Sequence, residues 1–199
     1  MVTISITVLG STRGKDKHIL TRSAARVGDK IAVTGYLGAA AAGVRMLKKQ
    51  LEFAPEATAS FKTACFHPCP RIAEGQLLAE QGVKTAIDIS DGLISDLKHI
   101  CQASKVGARL EIDRMPIQPD VRTCFGDKAL ELALSGGEDY ELLFTATTES
   151  INKIKAATSC PITIIGEIIA DEKSQIFLVD REGNPFNLPE TGWEHFAVR

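Results

Sequence analysis

The chain has 199 residues, of which 44% are hydrophobic and 24% charged, and its formal net charge is -2. This length and composition are ordinary for one globular domain or a tight pair of domains. A charge so close to neutral gives no positive field for nucleic acid or an anionic membrane. No apolar run reaches the length of a membrane span, and the first residues lack a signal-peptide pattern. We therefore expect a cytoplasmic protein with reduced cysteines and with no nucleic-acid or membrane partner.

The first part of the chain predicts strands and helices separated by glycine and proline signals. Alternating apolar residues predict a strand over 2–8, and residues 29–51 predict a strand, a glycine turn and a helix that ends in basic residues. Three prolines within 52–70 predict a connection with at most one helical turn. A helix is expected over 71–82, where Gly82 stops it.

The second part continues the alternation. The pattern predicts strands and helices in this order: strand 83–90, helix 92–104, strand 108–113, a proline-containing loop, helix 127–134, strand 140–147, helix 149–157, and strands 161–168 and 175–180. Adjacent strands near both ends of the chain favour an α/β fold (α+β by some schemes) with a mixed sheet over a purely parallel one.

The stretch "AIDISDGLISDLKHI", residues 86–100, places acidic side chains where a strand becomes a helix. Strand alternation puts Asp88 and Ser90 on one face. Asp91 is predicted to be the N-cap of a helix that opens at Gly92, because a carboxylate there can accept backbone N–H bonds.

Two chemical interpretations of this turn stay open. Asp88 and Asp91, with a hydroxyl between them, are hard oxygen ligands that suit Mg²⁺ shared with nucleotide phosphates. A capped turn with a solvated strand end accounts for the same residues. Further along the helix, Asp96 and His99 are predicted to lie on its exposed, polar side. The nearness of Asp96 to Asp91 also leaves open a role in supporting the groups that contact the ligand.

A second acidic stretch, "ALSGGEDYELLF", covers residues 133–144. Gly136 and Gly137 predict a tight turn, and Glu138 and Asp139 precede a strand. Taken alone, the stretch is typical of a glycine-rich turn with solvated acids. The chain contains no P-loop motif.

Together with "LTRSAARVGDKIAVTG" and the C-terminal "GWEHF", these two stretches closely resemble the thiamine-monophosphate kinase family, in order and in spacing. The resemblance runs nearly from end to end. This family belongs to an ATP-binding superfamily that includes aminoimidazole ribonucleotide synthetase, selenophosphate synthetase and a hydrogenase maturation protein. The resemblance implies a C-terminal three-layer α/β/α domain, beside an N-terminal domain that helps to build a homodimer.

The resemblance also implies an activity and a set of site residues. The activity is ATP-dependent phosphorylation of thiamine monophosphate to thiamine diphosphate with Mg²⁺, without a covalent enzyme intermediate and without a named catalytic side chain. The implied roles are Mg²⁺ ligation by Asp88 and Asp91, ATP contact by Arg22 and Ser90, and thiamine monophosphate contact by Glu138 and Trp193.

One departure from the family concerns its N-terminal domain, which carries a Gly-Asp-Asp motif and most of the Mg²⁺ and nucleotide ligands. This sequence has no "GDD". We therefore expect residues 1–199 to be the C-terminal domain of a longer enzyme, and the isolated chain to be inactive. Two alternatives remain: another enzyme of the same superfamily, and a non-catalytic module for ligand binding or assembly.

Overall fold

A computed structural model of the chain describes residues 6–9 and 19–186. The strands of this part are β1 (Lys30–Thr34), β2 (Thr85–Asp88), β3 (Gly107–Glu111), β4 (Leu142–Ala146), β5 (Ile162–Ile169) and β6 (Ile176–Val179). The helices are α1 (Ala39–Lys49), α2 (Pro55–Phe66), α3 (Ile72–Glu80), α4 (Leu93–Ser104), α5 (Pro119–Phe125), α6 (Ala129–Ser135) and α7 (Thr148–Ala157). Two 3-10 turns lie at Ile112–Arg114 and Gly126–Lys128.

The strands form one mixed sheet in the order β2-β4-β1-β5-β3-β6. Neighbouring strands run antiparallel, except for β3 and β6, which pair in parallel. Strand β1 lies inside the sheet, where Lys30 is opposite Ala146 of β4 on one side and Glu167 of β5 on the other. The predicted mixed sheet is confirmed.

Apolar side chains cover both faces of this sheet, because successive strand residues point to opposite sides. On one face, Ile31 and Val33 of β1 belong to a core that also contains residues of α1, α2, α4, α5 and α6. On the other face, Ala32 of β1 and Phe144 of β4 pack in a second core with α3 and α7. The layers are helix, sheet and helix, as expected for the predicted α/β class.

Two helices contradict the sequence prediction. The prolines predict a connection over 52–70 and a loop before residue 127, but Pro55 and Pro119 stand at the start of α2 and α5. A proline in the first helical turn loses no hydrogen bond, and its fixed φ suits the helix. Helix α2 then buries Phe61 completely.

The predicted N-terminal strand is tested only in part. Residues 6–9 form no strand, and residues 1–5 lie outside the described residues. In the described part of the chain, no helix is both long enough and apolar enough to cross a membrane.

Candidate functional site

An open pocket of about 560 Å³ lies at the end of β2, on the edge of the sheet. Its polar lining comes from the segment before β1, from the end of β2 and the turn that follows it, and from α4: Thr21, Arg22, Asp88, Ser90, Asp91, Asp96 and His99. The structure thus gathers four of the six predicted site residues around one cavity.

Arg22 reaches this pocket because its segment pairs with the edge of β2. The amide of Thr21 donates to the Lys84 carbonyl at 2.8 Å, and the amide of Ala86 donates to the Thr21 carbonyl at 3.1 Å. The Ser104 hydroxyl of α4 donates to the carbonyl of Arg22 at 2.8 Å. These bonds fix the backbone at Arg22 beside the end of β2.

The N-cap prediction for Asp91 is wrong. Helix α4 begins after Gly92, which is itself the N-cap, with φ of 108° and no side-chain cap bond. That φ disfavours any residue with a Cβ, and a Cβ here would lie 2.9 Å from the Ser135 carbonyl oxygen. The glycine therefore moves Asp91 one position outside the helix and into the pocket lining.

The prediction that Asp96 is exposed is also wrong, whereas His99 is exposed as predicted. Asp96 is only 2% exposed. Its Oδ2 atom accepts hydrogen bonds from the backbone amides of Ser90, at 3.0 Å, and Asp91, at 3.1 Å. Burial raises the pKa of Asp96 to about 6; the negative charges of Asp91 and Asp88 act in the same direction, and the two amide bonds oppose it.

Several of these groups are able to ligate a cation together. Asp91, Asp96 and His99 offer ligand atoms that all lie within 4.8 Å of one another. Asp88 lines the same pocket from the end of β2. Carboxylate oxygens are the protein ligands that Mg²⁺ prefers, so the donor set at this turn suits a hard divalent cation.

The second acidic stretch lies directly against this turn. The amide of Glu138 donates to the Ser90 carbonyl at 2.9 Å, and the amide of Tyr140 donates to the Ile89 carbonyl at 2.9 Å. A Cβ on Gly137 would collide with the Ser90 carbonyl oxygen, so this close approach needs glycine. The two sequence motifs therefore form one surface.

Glu138 projects from a strained part of that surface. Glu138 has φ of 70° and Tyr140 φ of 50°, both in the left-handed region that residues with a Cβ rarely adopt. The Tyr140 hydroxyl donates to Glu138 Oε2 at 3.0 Å, and this bond is the main reason why the pKa of Tyr140 is raised. Glu138 is exposed beside the turn that joins β2 to α4. Strain of this kind concentrates at functional sites.

The expectation of two solvated acids is wrong for Asp139. Its carboxylate accepts hydrogen bonds from the amides of Gly38, at 2.8 Å, and Ala40, at 3.4 Å, at the start of α1. Burial raises the pKa of Asp139 to about 7, against the effect of these two bonds. Asp139 thus caps α1 although it lies 101 residues after Gly38 in the sequence.

Comparison with known proteins identifies the family of this fold. Residues 26–179 match the family model described as AIR synthase related protein, C-terminal domain. The chain belongs to this family.

The matched relatives and solved structures include thiamine-monophosphate kinases. The enzyme of Escherichia coli (strain K12) is 42% identical over 184 residues, which are 90% of this chain and 56% of that protein. The crystal structure of thiamine-monophosphate kinase from Stenotrophomonas maltophilia K279a has a TM-score of 0.74 at 33% identity, covering 80% of this chain and 53% of that one. AaThiL complexed with AMPPCP and TMP has a TM-score of 0.76 at 29% identity, covering 90% and 55%.

These matches confirm the resemblance to the thiamine-monophosphate kinase family that the sequence motifs predicted. The chain spans a little more than half the length of these relatives. Trp193, the remaining predicted site residue, lies outside the described residues.

This family member also has a cluster of Glu141, Arg71 and Thr34 that the sequence did not predict. Glu141, only 6% exposed, accepts bonds from both the Nε and Nη2 atoms of Arg71, each at 2.6 Å. The Thr34 hydroxyl donates to the same carboxylate at 2.6 Å. The hydrogen bond with Glu141 is the main cause of a raised Arg71 pKa. No local sequence signal links these residues, because they come from three separate segments.

Proposed function

We propose that this chain is the C-terminal domain of a thiamine-monophosphate kinase, which phosphorylates thiamine monophosphate with ATP. The observation that carries the proposal is the 42% identity with the E. coli kinase over 184 residues. The complex of AaThiL with AMPPCP and TMP supports the same pair of substrates, since AMPPCP is an ATP analogue.

In this reaction, a phosphate oxygen of thiamine monophosphate attacks the γ-phosphorus of ATP. The bond between that phosphorus and the β–γ bridging oxygen breaks, and ADP leaves with the electron pair. Such a transfer needs positioning and charge neutralisation rather than a protein nucleophile. Mg²⁺, when bound, neutralises charge on the phosphate oxygens.

The pocket residues suit this chemistry. Asp88 and Asp91 would supply carboxylate ligands to Mg²⁺, whose remaining positions are commonly filled by water and nucleotide phosphates. Arg22 would pair its guanidinium with phosphate oxygens. Ser90 would add a hydroxyl to the nucleotide contact. These four side chains line the same cavity, which supports a shared role at the nucleotide.

Glu138 and Trp193 are proposed contacts for thiamine monophosphate. Glu138 is exposed next to the turn that joins β2 to α4, so its carboxylate is available to a cationic or amino-bearing ring. An indole such as that of Trp193 stacks well on a flat heteroaromatic ring. The assignment of Trp193 rests on the "GWEHF" motif alone.

The remaining part of the active site belongs, in this proposal, to an N-terminal domain of the same enzyme. The chain covers only 56% of the E. coli relative, and it lacks the Gly-Asp-Asp motif expected in that domain. We also propose that the longer enzyme is a cytoplasmic homodimer.

The test uses the 199-residue chain and a longer protein that includes the reading frame upstream of Met1. The longer protein should form thiamine diphosphate from Mg-ATP and thiamine monophosphate, and the shorter chain should not. Asp88→Asn should lower kcat/KM of the longer protein at least 100-fold, because it removes a charged metal ligand. Asp113→Asn, at an exposed acid in the first 3-10 turn, is the matched control and should keep full activity. Full activity of Asp88→Asn would contradict the metal assignment.

A non-catalytic binding module is the second candidate, and the partial coverage of the relatives favours it. It predicts that chain and longer protein both bind Mg-AMPPCP while neither forms thiamine diphosphate. Turnover of a different phosphate acceptor by the longer protein would instead indicate another enzyme of the superfamily.

A further inference from the structure

We propose that Asp96 is the positioning residue of the pocket turn, defined as residues 88–92. In this role, its buried carboxylate fixes the backbone of Ser90 and Asp91, so that their side chains and that of Asp88 face a bound cation. The link to a cation rests on the proposed function, whereas the hold on the backbone does not.

The first argument is the geometry of the two hydrogen bonds. One oxygen of Asp96, Oδ2, accepts from two consecutive backbone amides, at 3.0 and 3.1 Å. Consecutive amides converge on one acceptor only when the backbone between them is curled, as in the anion-binding turns called nests. A carboxylate in that position makes charge-assisted bonds, which are stronger than neutral ones. The carboxylate therefore favours one conformation of the turn.

The second argument is the rigidity of the support. Asp96 lies in the first turn of α4 and is 2% exposed. Its neighbour Leu97 and the first helical residue, Leu93, are completely buried in the core on that face of the sheet. A side chain on this packed helix end has little freedom, so it transmits the position of α4 to the turn.

The third argument is that Ser90 is held from both sides. Its amide donates to Asp96, while its carbonyl accepts from the amide of Glu138 at 2.9 Å. The peptide groups at Ser90 thus join α4 to the "SGGEDYEL" segment. A change at Asp96 should alter the proposed metal ligands and the spacing between them and Glu138.

Direct metal ligation by Asp96 is the competing interpretation. Asp91, Asp96 and His99 offer ligand atoms within 4.8 Å of one another, so a cation could in principle contact all three. The two interpretations differ in what they need from Asp96. Positioning needs an acceptor oxygen at Oδ2, which asparagine retains, whereas ligation needs the negative carboxylate.

The test compares Asp96→Asn with Asp96→Leu, two neutral side chains of similar size, so that any difference between them reports the acceptor and not the charge. Amide hydrogen exchange of Ser90 and Asp91 is measured by NMR in the 199-residue chain without metal. We expect protection in the wild type and in Asp96→Asn to agree within about 10-fold, and protection in Asp96→Leu to fall at least 10-fold. Thr147→Val, which removes the side-chain acceptor at the start of α7, is the matched control and should leave both amides unchanged.

Mn²⁺ binding, followed by electron paramagnetic resonance, is the second readout. Asp96→Leu should bind Mn²⁺ at least 10-fold more weakly than Asp96→Asn. Equal losses in both variants would overturn the proposal in favour of direct ligation. Wild-type amides of Ser90 and Asp91 that exchange as fast as exposed ones would also overturn it, even if Asp96→Leu fails to fold. If the wild type binds no Mn²⁺ but shows the expected exchange pattern, the metal assignment fails and the hold of Asp96 on the backbone stands.

Discussion

At the scale of single residues, Asp139 carries its carboxylate to the start of α1, where the amides of Gly38 and Ala40 donate to it. Asp91 lies in the turn just before α4, yet the N-cap of that helix is Gly92. The N-caps of α1 and α4 are both glycines, Gly38 and Gly92, which offer no side-chain acceptor. At α1 the acceptor is Asp139, which is distant in sequence. At α4 the helix's own Asp96 accepts instead from the amides of the turn that precedes it.

The raised pKa of Asp139 predicts a pH dependence of stability. Burial raises this pKa from an ordinary value of 3.8 to about 7. Between these two pH values, the folded chain therefore keeps a proton on Asp139 that the unfolded chain has released. The stabilising contribution is complete below about pH 4 and is lost as the pH rises towards 7. Since one pKa unit corresponds to about 1.4 kcal/mol, the loss should exceed about 1 kcal/mol. Urea unfolding at several pH values should show a smaller decline in Asp139→Asn than in the wild type, and the decline that remains in the variant comes from Asp96, whose pKa is also raised, to about 6.

Asp180 provides a control of opposite sign. Hydrogen bonds from the side chain and backbone of Asn184 lower the pKa of Asp180. Its contribution is therefore present at neutral pH and is lost as the pH falls below 4. Asp180→Asn should leave the decline between pH 4 and 7 intact. A flat wild-type profile over that range would contradict the assignment for Asp139.

At Glu138, we expect the stability of the fold and the binding of thiamine monophosphate to favour different residues. Its φ of 70° costs a residue with a Cβ about 1 kcal/mol, a cost that glycine does not carry. Glu138→Gly should therefore raise the free energy of unfolding by up to about 1 kcal/mol while weakening thiamine monophosphate binding in the longer protein. Chemical denaturation and calorimetric titration measure the two effects.

Lys105, with φ of 57° at the C-cap of α4, offers the matched control for Glu138. Lys105→Gly should give a similar gain in stability and leave thiamine monophosphate binding unchanged. If Glu138→Gly and the wild type bind thiamine monophosphate equally well, Glu138 does not contribute to the substrate site.

At the scale of elements, two helical glycines differ in what surrounds them. A Cβ on Gly43 of α1 would lie 2.5 Å from the Phe61 carbonyl oxygen of α2, whereas a Cβ on Gly75 of α3 would meet only a Leu142 methyl at 3.7 Å. Gly43→Ala should therefore separate α1 from α2 and cost about 1–3 kcal/mol. Gly75→Ala should stabilise α3 by up to about 1 kcal/mol. Thermal unfolding followed by circular dichroism compares the two; equal shifts would mean that α1 and α2 do not pack through Gly43.

Local pattern was enough to predict most elements but not all. Alternating apolar residues predicted β2, and helical periodicity with a following glycine predicted α3. Helices α2 and α5 were missed because a proline can either break a helix or stand in its first turn. Which of the two occurs depends on the backbone around the proline. Proline therefore accounts for the two missed helices, whereas at residues 6–9 the alternating pattern predicted a strand that does not form.

The candidate site was predictable to the extent that its residues are close in sequence. Asp88, Ser90 and Asp91 were identified from one strand-to-helix turn, and they line one pocket. The burial of Asp96 was missed because helical periodicity places it on the polar side, while its partners are amides of the preceding turn. The contact between Arg71 and Glu141 joins distant segments, so no local pattern contains it.

At the scale of the whole molecule, the two apolar cores share one sheet. Leu97 belongs to the core on one face and Phe144 to the core on the other, and both are completely buried. Because strands β1 and β4 contribute to both cores, losing either core should unfold the sheet between them. Leu97→Ala and Phe144→Ala should each lower the free energy of unfolding by about 3–5 kcal/mol and keep one transition. Calorimetry that resolves two transitions in either variant would show that the faces unfold independently.

The position of β1 inside the sheet also has a consequence for synthesis on the ribosome. Its partners, β4 and β5, are more than one hundred residues further along the chain. At a translation rate of about 5–20 residues per second, β4 and β5 are synthesised roughly 5–25 s after the apolar residues Ile31 and Val33. A nascent chain with unpaired strand edges exposed for that time is a substrate for chaperones and prone to aggregation. Slower translation before residue 142 should therefore lower the soluble yield of this protein more than slower translation after residue 169.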